Sequence, residues 1–127
     1  MNLEKVIFGA FVILACTLNF GFFVGEIDNP AHHHPLELGA TFVVNLIAMV
    51  LKFGDRTHIG AVHLATSIVA VLQLLAAALV WMWATRVAEL HSDGEVMATV
   101  VSLAGGALVA NFISVALMIG ETLRRVR

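Results

Sequence analysis

Four side-chain amides lie deep within apolar stretches of this sequence, one in each of four stretches: Asn19, Asn45, Gln73 and Asn111. A polar group that faces lipid is costly, so it normally turns toward another helix or a hydrated cavity. His63, a titratable side chain, lies in the third stretch, where an ionisable group is a candidate for function. These residues predict the inside of a helical bundle. The four amides do not by themselves say what that interior does: they suit either hydrogen bonds between helices or a path for cations, and His63 is either a hydrogen-bonded core histidine or a functional group.

Three adjacent histidines, His32, His33 and His34, form a second candidate group, and Asp28 precedes them in the same loop. Imidazole and carboxylate groups together bind Zn²⁺, Cu²⁺ or Ni²⁺. Adjacent histidines cannot all reach one ion from regular backbone, so two interpretations stay open. The loop is either a divalent-metal or proton-sensing site, or a feature of the surface. We expect no other cofactor.

The composition indicates a membrane protein. The 127 residues are 60% hydrophobic and only 13% charged, whereas soluble domains are nearer half apolar and about a quarter charged. A lipid core about 30 Å thick requires apolar helices of roughly 17 to 25 residues. The sequence therefore predicts an all-α integral membrane protein with one transmembrane domain, residues 1–127, surrounded by the lipid bilayer. The predicted spans are 6–24, 36–53, 58–85 and 93–122.

Short connections between the spans predict an antiparallel four-helix bundle. In the second connection, Gly54 is expected to be a left-handed cap of the preceding helix, and either Asp55 or Thr57 to cap the next. Ser92 and Glu95 have the spacing of a capping box at the start of the last helix.

The basic residues predict the orientation of the bundle. Four spans place six of the seven on one side: Lys5, Lys52, Arg56, Arg124, Arg125 and Arg127. Basic residues collect on the cytoplasmic side of membranes, so both termini are expected there. The net charge of -2 and the lack of a longer basic block give no indication of a nucleic-acid partner.

Polar side chains recur every three or four residues in the second and third spans, which places each set on one helix face. The predicted path residues are Glu37, Thr41, Asn45, Lys52, His63, Thr66 and Gln73. Two interpretations stay open: the stripes bond across helices within one bundle, or they line a hydrated path between several protomers. In the second case, Glu37 lies at the outer mouth and Lys52 at the inner one.

Small residues four positions apart allow helices to approach closely. The predicted packing residues are Ser102, Gly106, Ala110 and Ser114 in the last span, with Gly21 and Gly25 in the first. From this ridge we expect a homo-oligomer, and other membrane helices are also candidate partners.

Residues 50–55, with the sequence Val-Leu-Lys-Phe-Gly-Asp, resemble the pore helix and filter of tetrameric cation channels. The resemblance implies a re-entrant second segment with backbone carbonyls as ion ligands, whereas the distribution of basic residues favours four full spans. The whole chain resembles small uncharacterised multi-pass proteins of bacterial inner membranes, which implies that location and no particular chemistry.

These observations favour an oligomeric membrane channel or ion-translocating protein, with a cation or proton path along the second and third helices. The alternatives are a structural or accessory membrane subunit and a metal-handling protein that uses the histidine loop. An enzyme is not expected, because the sequence offers no nucleophile with a nearby base, no paired acidic residues within a span and no cofactor motif.

Overall fold

Long apolar helices account for nearly all of the described structure. The computed structural model describes residues 3–24, 35–55, 57–87 and 94–126. Its helices are α1, Leu3–Phe23; α2, Pro35–Lys52; α3, His58–Met82; and α4, Gly94–Val126, and a π-helical turn at Trp83–Val87 continues α3. No strand occurs within these ranges. The predicted all-α fold is confirmed, and the predicted spans differ from the helices by a few residues at their ends.

All four helices are long and apolar enough to cross a membrane. Even the shortest, α2 with 18 residues, is about 27 Å long at a rise of 1.5 Å per residue. That length approaches the thickness of a lipid core. These helices fit a multi-pass membrane protein.

Each helix packs mainly against two neighbours. Helix α1 packs against α2 and α4, and α3 packs against the same two helices. Lys5 Nζ lies 3.4 Å from Glu121 Oε1, which places the start of α1 beside the end of α4. The helices therefore alternate in direction. Lys5, Lys52 and Arg124 share one end of the bundle, which we call the basic end.

The interior has three tiers. Near the basic end, Phe8, Val12 and Ala48 form a small apolar cluster. Nearest the opposite, far end is an apolar layer. It includes six side chains that are each at most 3% exposed: Phe22, Leu38, Leu74, Ala77, Met97 and Val101. Buried polar side chains lie between the two along every helix. This polar tier consists of Asn19, Thr41, Asn45, His63, Ser67, Asn111 and Ser114.

The corner between α2 and α3 is closed by side-chain capping. The Thr57 hydroxyl accepts a hydrogen bond of 3.0 Å from the Gly60 N–H and donates one of 2.7 Å to Asp55 Oδ1. Of the two predicted caps, Thr57 is therefore the N-cap of α3. The Asp55 carboxylate lies against Gly60, where a Cβ would collide with it.

Two expectations for this corner are wrong. Gly54 does not adopt a positive φ, because tight-turn hydrogen bonds close the corner instead, from the Phe53 N–H to the Val50 carbonyl and from the Asp55 N–H to the Lys52 carbonyl. The re-entrant segment implied by the channel resemblance is also absent from the described residues. Helix α2 runs without a break to Lys52, and residues 53–55 form a turn rather than an extended filter.

Two adjacent glycines in α4 allow two neighbouring helices to approach. A Cβ at Gly105 would meet the Phe23 ring of α1, and a Cβ at Gly106 would meet the Gln73 amide of α3. The predicted small-residue ridge winds around α4, because positions four apart on a helix rotate by about 40°. Ser102 is exposed, whereas Ala110 and Ser114 are buried. Most of the ridge is therefore used within the chain.

Candidate functional site

The central feature of the interior is His63, whose side chain is 2% exposed. Its Nδ1 lies 2.6 Å from the hydroxyl oxygen of Ser114, so one hydrogen bond joins α3 to α4. Either atom can be the donor, according to which ring nitrogen carries the proton. Within the described ranges the ring makes no second hydrogen bond, which leaves Nε2 available to exchange a proton.

Phe8 connects His63 to the basic end. Its ring packs edge-to-face with the imidazole, with 5.1 Å between centroids and an interplanar angle of 71°. Lys52 Nζ lies 4.2 Å from the centroid of the same ring, a favourable cation–π position. Phe8 therefore lies between a fixed positive charge and a titratable ring.

Lys52 is held in place by Asp55, with 3.3 Å between Nζ and Oδ2. Hydrogen bonds from the Thr57 hydroxyl and backbone N–H, helped by the Lys52 ammonium, lower the pKa of Asp55 from 3.8 to about 2. The carboxylate is therefore ionised throughout the physiological range. A row of side chains thus leads from the corner into the interior: Asp55, Lys52, Phe8, His63 and Ser114.

The amide pair Asn19 and Asn111 joins α1 to α4 further inside. In the orientation of the Asn19 amide that satisfies both of its ends, Nδ2 donates to the Ala104 carbonyl at 3.1 Å. Its Oδ1 accepts from the Leu108 N–H at 3.0 Å and from Asn111 Nδ2 at 3.3 Å. Both amides thus bond within the bundle.

Two predicted path residues of α2, Thr41 and Asn45, are inside the bundle but bond to their own helix. Thr41 Oγ1 donates to the Glu37 carbonyl at 2.6 Å, and Asn45 Nδ2 donates to the Thr41 carbonyl at 2.8 Å. In α3, half-buried Thr66 likewise donates to the carbonyl of His63 at 2.9 Å. These donors stabilise single helices and do not link the two stripes.

Gln73 and Glu37 lie apart from the His63 row. The Gln73 amide packs on Gly106, and its buried Oε1 has no hydrogen-bond partner. Glu37 is toward the far end, where its Oε2 lies 3.2 Å from the place of a Cβ at Gly21. Among the described residues, the structure therefore brings Lys52 and His63 together, and no hydrogen bond joins Asn45 to Gln73.

A family model for DUF6394, a family of unknown function, matches residues 32–122. The chain belongs to this family. The DUF6394 match includes α2, α3 and most of α4, and with them Lys52, His63 and Ser114, whereas α1 and Phe8 precede it. No curated protein and no solved structure matches the chain.

The predicted metal site lies outside the described residues, because His32, His33, His34 and Asp28 all fall between residues 25 and 34. Gly25 falls there too. In the part of the chain that the structure describes, no three His, Cys, Asp or Glu side chains are grouped to hold a metal ion. The histidine loop therefore stays a prediction.

Sequence reasoning missed three features of the site. Ser114 was assigned to packing, although it is the hydrogen-bond partner of His63. Phe8 looked like any other apolar residue of the first span, and only its neighbours distinguish it. Asp55 carried one available signal, since an acidic residue three positions after Lys52 can form an ion pair across a turn.

Proposed function

We propose that this protein translocates protons across a membrane, with His63 as the group that binds the proton. The observation that supports the proposal is a buried imidazole within a membrane-spanning helix, bonded through Nδ1 to Ser114. Burying such a group in a membrane span is expensive, and intramembrane ionisable residues commonly mark ion or proton pathways. Imidazole also exchanges its proton between about pH 5 and 8.

Two features favour protons over larger cations. At the entrance from the basic end, both oxygens of the Asp55 carboxylate are already bonded, to Lys52 and to Thr57, so neither is free to bind Na⁺ or K⁺. The side chains of the apolar layer carry no oxygen, and among the described residues one buried side-chain oxygen beside it, Gln73 Oε1, lacks a hydrogen-bond partner. A single oxygen does not replace the hydration shell of Na⁺ or K⁺. A proton needs only a chain of exchangeable groups, although its exit to the far end requires the apolar layer to open or to admit water.

We also propose an orientation in the membrane and an assembly state for this protein. The basic end faces the cytoplasm of a bacterial inner membrane, which places both termini there. The protein acts as a transporter rather than an enzyme, and copies associate into a homo-oligomer. Ser102 is the ridge residue that remains exposed, so it is the position at which a second copy has access to the ridge.

Purified protein in liposomes that contain a pH-sensitive dye tests the proposal. With an inside-negative potassium diffusion potential across the vesicles, wild type should acidify the interior faster than empty vesicles. In separate vesicles without the potassium ionophore, dyes for Na⁺ and K⁺ should report no flux above that of empty vesicles. The His63→Gln variant keeps a hydrogen-bonding side chain but cannot titrate, so its proton flux should fall to background. His58→Gln, on the same helix but exposed, is the matched control.

Unchanged flux in His63→Gln would contradict the role of His63. Wild-type liposomes that stay silent at every pH and potential would contradict translocation itself. The second outcome would favour a structural or accessory subunit, in which the polar tier only holds the helices together.

A further inference from the structure

A groove of about 460 Å³ opens at the basic end, between the start of α3 and the last turns of α4. Its walls are apolar where they face the membrane span, at Ile59, Leu117 and Gly120, and its rim carries His58, Glu121 and Arg124. A Cβ at Gly120 would meet nothing within 4 Å. The groove therefore has free volume beside α4.

With Lys5 counted, because it pairs with Glu121, the rim carries one net positive charge. Glu121 lies 3.4 Å from Lys5 Nζ, so its carboxylate is already paired with a cation. Arg124 is exposed and forms no ion pair with any side chain of the described ranges. Guanidinium groups bind phosphate oxygens in a bidentate geometry, so the charge at this rim is complementary to a phosphate group.

The groove lies at the depth of lipid headgroups. The apolar span of α4 ends at Arg124, and α3 begins at His58, so the rim residues mark the boundary between the hydrocarbon core and water. Basic residues at this boundary attract anionic lipids. The apolar walls extend from the rim toward the hydrocarbon core, in the direction that an acyl chain takes from its headgroup.

We propose that the groove binds one anionic phospholipid. Its phosphate lies against Arg124 and His58, and one acyl chain lies along Leu117 in the free volume beside Gly120. Inorganic phosphate would contact only the rim, whereas the apolar walls and the space at Gly120 can also hold an acyl chain. The proposal is independent of proton translocation.

Native mass spectrometry of detergent-purified protein tests it, with phosphatidylglycerol, phosphatidylcholine and inorganic phosphate titrated separately. Wild type should hold one phosphatidylglycerol more tightly than phosphatidylcholine. Arg124→Gln should weaken the binding of phosphatidylglycerol about fivefold, the effect of one basic residue near a membrane surface. Arg124→Lys should retain most of the binding. The matched control is Arg86→Gln, because Arg86 is exposed at the far end of α3.

Gly120→Leu should fill the groove and reduce phosphatidylglycerol binding while Arg124 is intact. Melting temperatures of all variants should match that of wild type, because both positions are exposed. Equal affinity of wild type for the two lipids, or unchanged binding in both Arg124→Gln and Gly120→Leu, would overturn the proposal. Displacement of the lipid by millimolar inorganic phosphate would also overturn it, since the rim alone would then account for binding.

Discussion

The side-chain amide of Gln73 lies directly over Gly106, in the space that a Cβ would need. Helices α3 and α4 are close enough at this point that Gln73 Oε1 is buried without a hydrogen-bond partner. The absence of a side chain at Gly106 is therefore a requirement of packing within one chain. A substitution at Gly106 therefore changes the stability of a single chain, whether or not several chains also assemble.

Gly106→Leu should destabilise the protomer by about 1–3 kcal/mol, the usual cost of overpacking a filled interior. Gly106→Ala should be milder, because the end of the Gln73 side chain can move aside. Thermal unfolding in detergent measures both effects. Gly39→Leu is the control, since a Cβ at Gly39 meets nothing within 4 Å. Equal losses of stability in Gly106→Leu and Gly39→Leu would show that the close approach of α3 and α4 does not contribute to the free energy of unfolding.

The Asn19 and Asn111 amides should be coupled in stability. Their contact of 3.3 Å joins α1 to α4, and polar contacts between membrane helices contribute about 0.6 kcal/mol on average. A double-mutant cycle with Asn19→Ala and Asn111→Ala, followed by unfolding in detergent, should give a coupling energy of that size. Strictly additive effects would argue against the contact.

The pKa of Asp55 should respond to loss of the capping hydroxyl. Its folded pKa of about 2 lies below the ordinary 3.8, so its stabilising effect is complete above about pH 4 and is lost as the pH falls toward 2. In Thr57→Ala the main hydrogen-bond donor is gone, and the pKa should rise toward 3.8. Carbon-detected NMR titration of the carboxyl group measures the shift.

Loss of an N-cap also costs about 1 kcal/mol of stability, so Thr57→Ala should lower the melting temperature. The control is Thr122→Ala, because the exposed Thr122 hydroxyl donates only to the Met118 carbonyl of its own helix. If Thr57→Ala leaves both the pKa and the melting temperature unchanged, the corner is not held by this cap.

The α2–α3 corner and the start of α4 should be accessible from opposite sides of the membrane. Phe53 and Glu95 are exposed near the two ends of the bundle, and Cys16 can first be replaced by Ala. An impermeant maleimide added to intact cells should label Glu95→Cys, and should label Phe53→Cys only after lysis. The reverse pattern would place the basic end outside.

The helices were predictable because lipid imposes a long apolar stretch on every spanning segment, whatever its neighbours. The inward direction of Asn19, Asn45 and Asn111 was also predictable, because a polar side chain that faces lipid is costly. All three are at most 5% exposed. Which side chains meet between two helices was not predictable in this way. Whether His63 meets Ser114 depends on how α3 and α4 are rotated about their axes. The pattern of residues within one helix does not determine that rotation.

The outward position of Ser102 has a related cause. A spacing of four residues looks like one helix face over a short distance, but the accumulated rotation carries Ser102 away from Ser114. The stripe of α2 mixes spacings of three and four, which corrects the rotation. Thr41 and Asn45 of this stripe are buried, and so is Ala48, which lies three residues after Asn45 and four before Lys52. Spacing therefore predicted a shared face only where the two intervals alternate.

The apolar layer nearest the far end also determines where a membrane voltage acts. Moving one charge through the full potential changes its energy by about 2.3 kcal/mol per 100 mV, and the field is concentrated where polar groups and water are fewest. His63 lies about 7.5 Å along α3 from its start at the basic end, whereas the layer lies beyond it. A charge that reaches His63 from the basic end therefore crosses little of the voltage, and the electric field acts mainly on the step through the layer.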